Sequence, residues 1–191
     1  MKIKQIIASL TFRILGWSVA NSPTYEHKKY KKYLLISGPH TSNWDFVYGF
    51  IATCIWGIPI KFVIKKEAMV FPLGYLLKSL GAISIDRHRS KNSRSNVDII
   101  SEQIEKYDKA VVAISPKGTR HKTDHIKTGF YYIAKRTNIP IALCYIDYKK
   151  RTIGLGPIYF VGDNVDEEVE KILSFYKDKT PKYLEQNLSI H

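Results

Sequence analysis

Apolar and polar residues follow one another along this chain in blocks that predict alternating strands and helices. Short apolar runs bounded by loops predict buried strands, at 33–37, 60–64, 82–85, 110–115, 139–145 and 153–161. Segments with apolar residues three and four positions apart predict helices, at 46–56, 72–80, 95–107, 128–136 and 165–176. This alternation predicts an α/β fold with a mainly parallel central sheet flanked by helices.

The first 22 residues carry a pattern of their own. Apolar residues recur there at helical spacing, and basic residues lie between them. The apolar residues are Ile3, Ile6, Ile7, Leu10, Ile14 and Trp17. We expect an amphipathic helix lying in the plane of a membrane, with Phe12 and Trp17 towards lipid, followed by a single domain over 23–191. A helix packed on its own domain is an open alternative. Arg13 counts against a signal peptide, and no run reaches the ~18 apolar residues of a transmembrane helix.

Composition narrows the class of protein and points to an anionic partner. Of 191 residues, 45% are hydrophobic, which excludes a disordered or fibrous chain. Cys54 and Cys144 lie in apolar runs and predict buried thiols rather than a disulfide framework. The net charge of +13 favours nucleic acid, an anionic membrane surface or acidic small molecules as partners. The lysine-rich stretch 26–33 fits a solvated loop or a contact for lipid headgroups.

The first candidate for chemistry is a histidine with a nearby aspartate. His40 follows the first buried strand, and Asp45 comes five residues later at a predicted helix start. A carboxylate that accepts from one imidazole nitrogen leaves the other free to take a proton from a hydroxyl. The alternative is structural, with His40 bonding loop backbone and Asp45 favouring the helix N-terminus.

Two further polar segments follow predicted strands, where ligands bind in open α/β sheets. Arg87 stands in a cluster of cations after the strand that ends at residue 85, and its guanidinium suits a phosphate. In 115–120, Gly118 allows close backbone approach, while Lys117, Thr119 and Arg120 offer donors to an anion. Each segment alone also fits a solvated loop.

Together, these segments resemble the motifs of the glycerolipid acyltransferase family, whose bacterial members include the 1-acylglycerol-3-phosphate acyltransferases. His40 and Asp45 match its His-x4-Asp motif, and Gly81 to Arg87 match its Gly-x-x-x-Ile-Asp-Arg pattern. The Pro-Glu-Gly-Thr-Arg motif is matched at 116 and 118–120, and an apolar strand around a proline at 139–143. The resemblance spans about residues 33 to 147, and the motifs occur in the family's order.

The resemblance implies an O-acyltransferase with a glycerolipid acyltransferase-like fold. It would move a fatty acyl group from an acyl thioester, acyl-CoA or acyl carrier protein, to the free hydroxyl of a lysophospholipid such as 1-acylglycerol-3-phosphate. His40 would be the general base and Asp45 its orienting group. Arg87 and Arg120 would bind the acceptor's phosphate, and substrate would also contact Lys117, Gly118 and Thr119. We expect no metal and no other cofactor.

The resemblance has one departure, because Lys117 stands where the family has an acid. This makes the site more cationic, so an altered acceptor or a lost activity stays open. The helices at 46–56 and 71–80 are expected to wall an apolar groove for the acyl chain. We place the protein on the cytoplasmic face of the inner membrane, as a peripheral or monotopic protein on an anionic surface.

Two competing interpretations are weaker. His121 and His125 have the spacing of a helical metal site, but no Glu follows the first histidine and the segment is predicted to be loop. A basic nucleic-acid-binding domain without catalytic role would use the Lys and Arg clusters on phosphates. It leaves the apolar helices and the ordered motifs unexplained, so we expect no nucleic-acid partner.

Overall fold

The computed structural model describes residues 3–21, 23–85, 95–123 and 125–187. Its helices are α1 (Ile3–Ile14), α2 (Tyr25–Lys29), α3 (Asn43–Trp56), α4 (Leu73–Ser79), α5 (Asn96–Glu105), α6 (Gly129–Thr137) and α7 (Val165–Tyr176). Its strands are β1 (Ser18–Val19), β2 (Lys32–Gly38), β3 (Ile60–Lys65), β4 (Ala82–Ile85), β5 (Ala110–Ile114), β6 (Ile141–Asp147) and β7 (Thr152–Tyr159). Short 3-10 turns span Lys66–Ala68 and Leu184–Gln186.

The strands form one seven-stranded sheet in the order β1-β7-β6-β2-β5-β3-β4. All neighbouring pairs are parallel except β6 and β7, which a tight turn joins as an antiparallel pair. The predicted α/β fold with a mainly parallel sheet is therefore confirmed. Ile36 in β2 pairs with Ile114 in β5 and Leu143 in β6, so the loops after β2 and β5 leave the same edge side by side.

Helices cover both faces of this sheet, and β2 shows why its sequence is continuously apolar. Leu34 and Ile36 belong to a core cluster that includes residues of α5, α6 and α7. Tyr33 and Leu35 belong to the opposite cluster, which includes residues of α1 and α3. A strand buried on both faces has no polar side to present, so a run of apolar residues replaces the usual alternation.

The amino-terminal segment departs from the expectation drawn from its pattern. Phe12 and Trp17 do not face lipid; they are 1% and 6% exposed and pack in the core cluster with α3. Amphipathicity specifies an apolar side but not what covers it, and here the domain covers part of it. The opposite side of α1 remains exposed, at Ile3, Ile6, Ile7, Leu10 and Ile14.

Three smaller features were also not predicted. Ser18–Val19 pairs with β7 and extends the sheet, and residues 25–29 form a helix rather than a loop. His27 of that helix is buried and packs edge-on against Tyr33.

The prediction of buried thiols is confirmed for Cys144 and wrong for Cys54, which is half-buried. None of the described helices combines the length and the apolar character needed to cross a bilayer.

Candidate active site

His40 and Asp45 meet where β2 ends and α3 begins. The Nδ1 atom of His40 lies 3.1 Å from Oδ2 of Asp45. Because an ionised carboxylate only accepts hydrogen bonds, Nδ1 carries the proton and donates it. Nε2 is then the nitrogen that can take a proton from a substrate. The side chain of His40 is 27% exposed, whereas that of Asp45 is 7% exposed.

The Asp45 carboxylate is held by three donors besides His40. Its Oδ2 accepts from the N–H groups of Thr41 at 2.8 Å and Ser42 at 2.7 Å. Its Oδ1 accepts from the hydroxyl of Tyr148 at 2.6 Å. Burial alone raises the pKa of Asp45, but these hydrogen bonds outweigh burial and hold the pKa below its ordinary value. The carboxylate is therefore charged and fixed in orientation.

The same contacts start α3. Ser42 is the residue before the helix, and its Oγ accepts from the N–H of Trp44 at 3.2 Å. Asp45 reaches back to the Ser42 N–H, so the two residues form a capping box. Both interpretations of Asp45 therefore hold, since one carboxylate orients the imidazole and caps the helix.

Tyr148 was missed by the sequence analysis. It lies in the turn between β6 and β7, 103 positions from Asp45. Its ring packs edge-on against Trp17, with ring centres 5.0 Å apart, and this contact fixes where the hydroxyl points. Burial and the Asp45 carboxylate both raise the pKa of Tyr148, so the hydroxyl stays a donor. No motif marks this tyrosine, because the contact exists only once the sheet is formed.

The loop after β5 brings Gly118 close to His40. Gly118 has a φ of +65° and its N–H donates to the Ser115 carbonyl at 3.0 Å, a tight turn that favours glycine. The side chain of Lys127 lies across this turn, where a Cβ added to Gly118 would come within 2.8 Å of it. Lys127 lines the same cavity as His40 and is exposed, yet it lies outside the recognised motifs.

The remaining predicted residues have different surroundings. The Lys117 ammonium is buried, and its hydrogen-bond partners are the backbone carbonyls of His40, Arg120 and Gln186. Thr119 accepts from the N–H of His121 through its Oγ1, and the side chain of Arg120 is exposed. Arg87 lies outside the described residues. The substrate-binding role of these four side chains remains a prediction.

Among the described residues, three cavities border His40, and the smallest, about 20 Å³, also touches Lys117 and Tyr176. Of the other two, the larger, about 350 Å³, lies between the sheet and helices α5 and α6, and the smaller, about 140 Å³, lies beside α3. The larger has a mostly apolar lining, which includes Val63, Ile85, Val97, Ile100, Ala113, Ile114, Phe130 and Ile133. Segment 46–56 was expected to wall a groove and contributes Phe46 and Gly49 to the smaller cavity. Segment 71–80 contributes no described residue to either cavity, because α4 packs by β4.

Ser115 stands at the junction of these cavities. It lines all three of them together with His40, and its Oγ is buried without a hydrogen-bond partner among the described residues. A buried hydroxyl without a partner is uncommon and indicates a place for a ligand atom or a water. Within the described part of the chain, no three His, Cys, Asp or Glu side chains come together as a metal site.

Comparison with known proteins identifies the family. The family model described as Acyltransferase matches residues 20–147, more than half of the chain. The chain belongs to the acyltransferase family. The resemblance drawn from the four motifs is thereby confirmed at the level of the family. The matched segment includes His40, Asp45 and the loop from Ser115 to Arg120.

A solved structure shares the fold. The crystal structure of the 1-acyl-sn-glycerophosphate (LPA) acyltransferase PlsC from Thermotoga maritima superposes with a TM-score of 0.60. The match covers 93% of this chain and 80% of that chain, at 14% sequence identity. At this identity the likeness concerns the fold. No curated protein matched the chain.

Replacing Tyr148 by Phe tests the support of Asp45. We expect the unfolding free energy at pH 7 to fall by about 1.5–3 kcal/mol, because a buried carboxylate loses one donor. The folded pKa of Asp45 lies below its unfolded value near 3.9, so this contribution exists above that pH and disappears as pH falls through the folded pKa. Urea unfolding of both proteins at a series of pH values from 7 downwards measures how this difference narrows.

The control is Tyr132→Phe, which removes a hydroxyl from an exposed tyrosine of α6. It should change the unfolding free energy by less than about 0.5 kcal/mol at every pH. A Tyr148→Phe loss that stays constant down to the pH of acid unfolding would show that the hydroxyl does not act through a charged Asp45.

Proposed function

We propose that this acyltransferase is an O-acyltransferase, which moves a fatty acyl group from an acyl thioester to the hydroxyl of a lysophospholipid such as 1-acylglycerol-3-phosphate. The observation that carries the proposal is the His40–Asp45 pair at the mouth of an apolar cavity of about 350 Å³. That volume is within the range of about 300–1,000 Å³ typical of ligand sites. The shared fold with an enzyme named as an LPA acyltransferase supports the choice of acceptor.

The reaction follows from the direction of the hydrogen bonds at His40. Nε2 of His40 takes the proton of the acceptor hydroxyl, and the oxygen attacks the thioester carbonyl carbon. Collapse of the tetrahedral adduct breaks the carbon–sulfur bond, and the thiolate takes the proton back from the imidazolium. The products are an ester and a free thiol, so the step balances without an oxidant or a reductant. Asp45 stabilises the imidazolium while it exists.

The apolar cavity suits the acyl chain of the donor or the acceptor, because burial of hydrocarbon is favourable in proportion to its area. The Ser115 hydroxyl stands where the cavities join, beside His40. In that place it would donate a hydrogen bond to the oxyanion of the adduct. The hydroxyl has no hydrogen-bond partner among the described residues. The acyl donor would be acyl-CoA or acyl carrier protein, the second of which is an acidic protein attracted by a +13 chain.

The acceptor's phosphate would bind at the cationic rim of the larger cavity. Lys127 lies on that rim beside Gly118, and the exposed Arg120 lies two residues after Gly118 in the chain. Arg87 belongs to the same proposal through its motif. A lysine contributes a compact charge to a phosphate, and arginine adds a bidentate contact.

The first test is acyl transfer from labelled palmitoyl-CoA and palmitoyl acyl carrier protein to a panel of lysolipids. We expect transfer to lysophosphatidic acid, and we expect His40→Ala to lower kcat/KM by about 10² or more, since the variant lacks the base. His125→Ala is the matched control, because that histidine is exposed and lies outside both cavities. No transfer with either donor by folded protein would exclude the proposed acceptor class.

Lys127→Met tests the phosphate site separately from the chemistry. We expect KM for lysophosphatidic acid to rise about tenfold, the effect of a lost charged hydrogen bond, while KM for monoacylglycerol stays unchanged. Lys122→Met removes the same charge from an exposed position that does not line the cavity. An equal rise for both acceptors, or an equal effect of Lys122→Met, would contradict a contact between Lys127 and phosphate.

The membrane is the second partner that we propose. One side of α1 is apolar and more than half of Ile3, Ile7 and Leu10 is exposed. A second exposed apolar segment, residues 70–76, includes Phe71 and Tyr75. Such surfaces on a chain with a net charge of +13 suit an anionic bilayer face, where a helix lies in the interface without crossing it. The protein would then be peripheral or monotopic on the cytoplasmic face of the inner membrane.

Vesicle sedimentation tests this surface with Ile7→Asp combined with Leu10→Asp. We expect retention on phosphatidylglycerol vesicles to fall at least tenfold, because two charged side chains replace two hydrocarbon side chains that would insert into the bilayer. Lys109→Gln with Lys177→Gln changes the net charge by the same amount at exposed positions outside α1 and should retain binding. Steeply salt-dependent DNA binding without any retention of the native protein on vesicles would instead favour the nucleic-acid alternative.

A further inference from the structure

The segment that follows α7 lies across the candidate active site. The N–H of Tyr183 donates to Oγ1 of Thr41 at 3.3 Å. The side-chain amide of Gln186, oriented to donate, has its nitrogen 2.9 Å from the carbonyl oxygens of both Thr41 and Arg120. Residues 183–187, which we name the C-terminal strap, therefore touch the loop of His40 and the loop of Arg120. No motif in the sequence points to these contacts.

Lys117 is the centre of this arrangement. The residue is 3% exposed, and its ammonium donates to the carbonyls of His40 at 3.3 Å, Arg120 at 3.5 Å and Gln186. A lysine ammonium has three N–H donors, so these three carbonyls account for all of them. One partner lies in the His40 loop, one in the loop of Lys117 itself and one in the strap.

We propose that Lys117 is a positioning residue, whose ammonium ties the C-terminal strap and the two active-site loops together and so fixes the backbone that carries His40. The proposal rests on the acyltransferase function proposed above only for its effect on turnover. The tie itself is a property of the fold. It gives the strap a place in the active site and gives Lys117 a role different from that of a substrate ligand.

The polarity of the surroundings explains why a lysine stands at this position. Three carbonyl oxygens converge on one point, and they need a donor there because buried acceptors without partners are costly. The acid found at this position in the family would bring further oxygen atoms to the same point. A carboxylate would repel these carbonyls, so a lysine fits this position of the chain better than an acid does.

The charge of Lys117 also has a neighbour of opposite sign. Burial lowers the pKa of Lys117, and the Asp45 charge partly restores it. Within the described residues no carboxylate forms an ion pair with Lys117 within 4 Å. The ammonium is therefore stabilised mainly by backbone carbonyls, which do not change their charge with pH.

The experiment compares Lys117→Arg, Lys117→Met and Lys117→Glu in the full chain, with hydrogen exchange followed by mass spectrometry. The reporters are the amides of Tyr183, Gln186 and Asn187, which donate within the described structure. We expect amide exchange in the strap to become at least tenfold faster in the Lys117→Met variant and faster still in the Lys117→Glu variant. In the Lys117→Arg variant it should stay close to the native rate. Lys109→Met and Lys109→Glu repeat the charge changes at an exposed site before β5 and should leave strap exchange unchanged.

Kinetics then distinguish positioning from substrate binding. We expect Lys117→Met to lower kcat about 10- to 100-fold with little change in the KM of lysophosphatidic acid, because the base is misplaced while the substrate contacts remain. Lys117→Arg should restore most of kcat. Gln186→Ala, which leaves Lys117 intact, should reproduce part of both the exchange and the kcat effect.

Two results would overturn the proposal. The first is a Lys117→Met variant with native circular dichroism whose strap amides exchange as slowly as those of the native protein. The second is a Lys117→Glu variant with native or higher kcat, which would show that an ammonium at this position is not needed to hold His40. Exchange needs no substrate, so a protein without acyl-transfer activity still reports on the tie, and the two proposals fail separately.

Discussion

The carboxylate of Asp45 is the acceptor on which the active-site structure depends. It receives hydrogen bonds from the imidazole of His40, from two backbone amides and from the hydroxyl of Tyr148. These donors belong to the loop after β2 and to the β6–β7 turn, while the carboxylate belongs to α3. One buried charge therefore fixes the tautomer of the base, starts a helix and joins a distant turn to both. Its removal would leave all of these groups without an acceptor in a place that water hardly reaches.

The parallel sheet explains why the other reactive groups gather around that carboxylate. β2 and β5 are neighbours with their carboxyl ends at one edge, so the loop of His40 and the loop of Gly118 are adjacent without any local sequence relation. Helices on both faces leave apolar space under these loops, at Ile85 and Phe130 on one face and Phe46 on the other. The sheet thus brings a polar edge next to an apolar interior, an arrangement that suits the acyl transfer proposed for this site.

Sequence reasoning succeeded where the determining contacts are local. Strands appeared as apolar runs because both faces of the sheet are buried, and His40 with Asp45 was recognisable because five residues separate them. Tyr148 could not be found, since its contact spans 103 positions and depends on the antiparallel β6–β7 turn. The side of α1 with Phe12 was assigned to lipid because periodicity shows that a side is apolar and not which partner covers it. The substrate-binding role of Lys117 stays a prediction, and its three carbonyl partners could not be found because a sequence shows only the charge.

Cations at this edge of the sheet divide into two kinds by their burial. Lys117 points inward, is almost fully buried and has its donors engaged by backbone, so its charge serves the protein. Lys127, which lines the larger cavity, and Arg120 are exposed, so their donors are open to water or to an anion. A cationic motif therefore does not give the charge of a binding site, because only donors left open can meet an anion. On the positioning role proposed for Lys117, the replacement of an acid alters the support of His40 more than the electrostatic attraction of an acceptor, and a change at Lys127 would do the reverse.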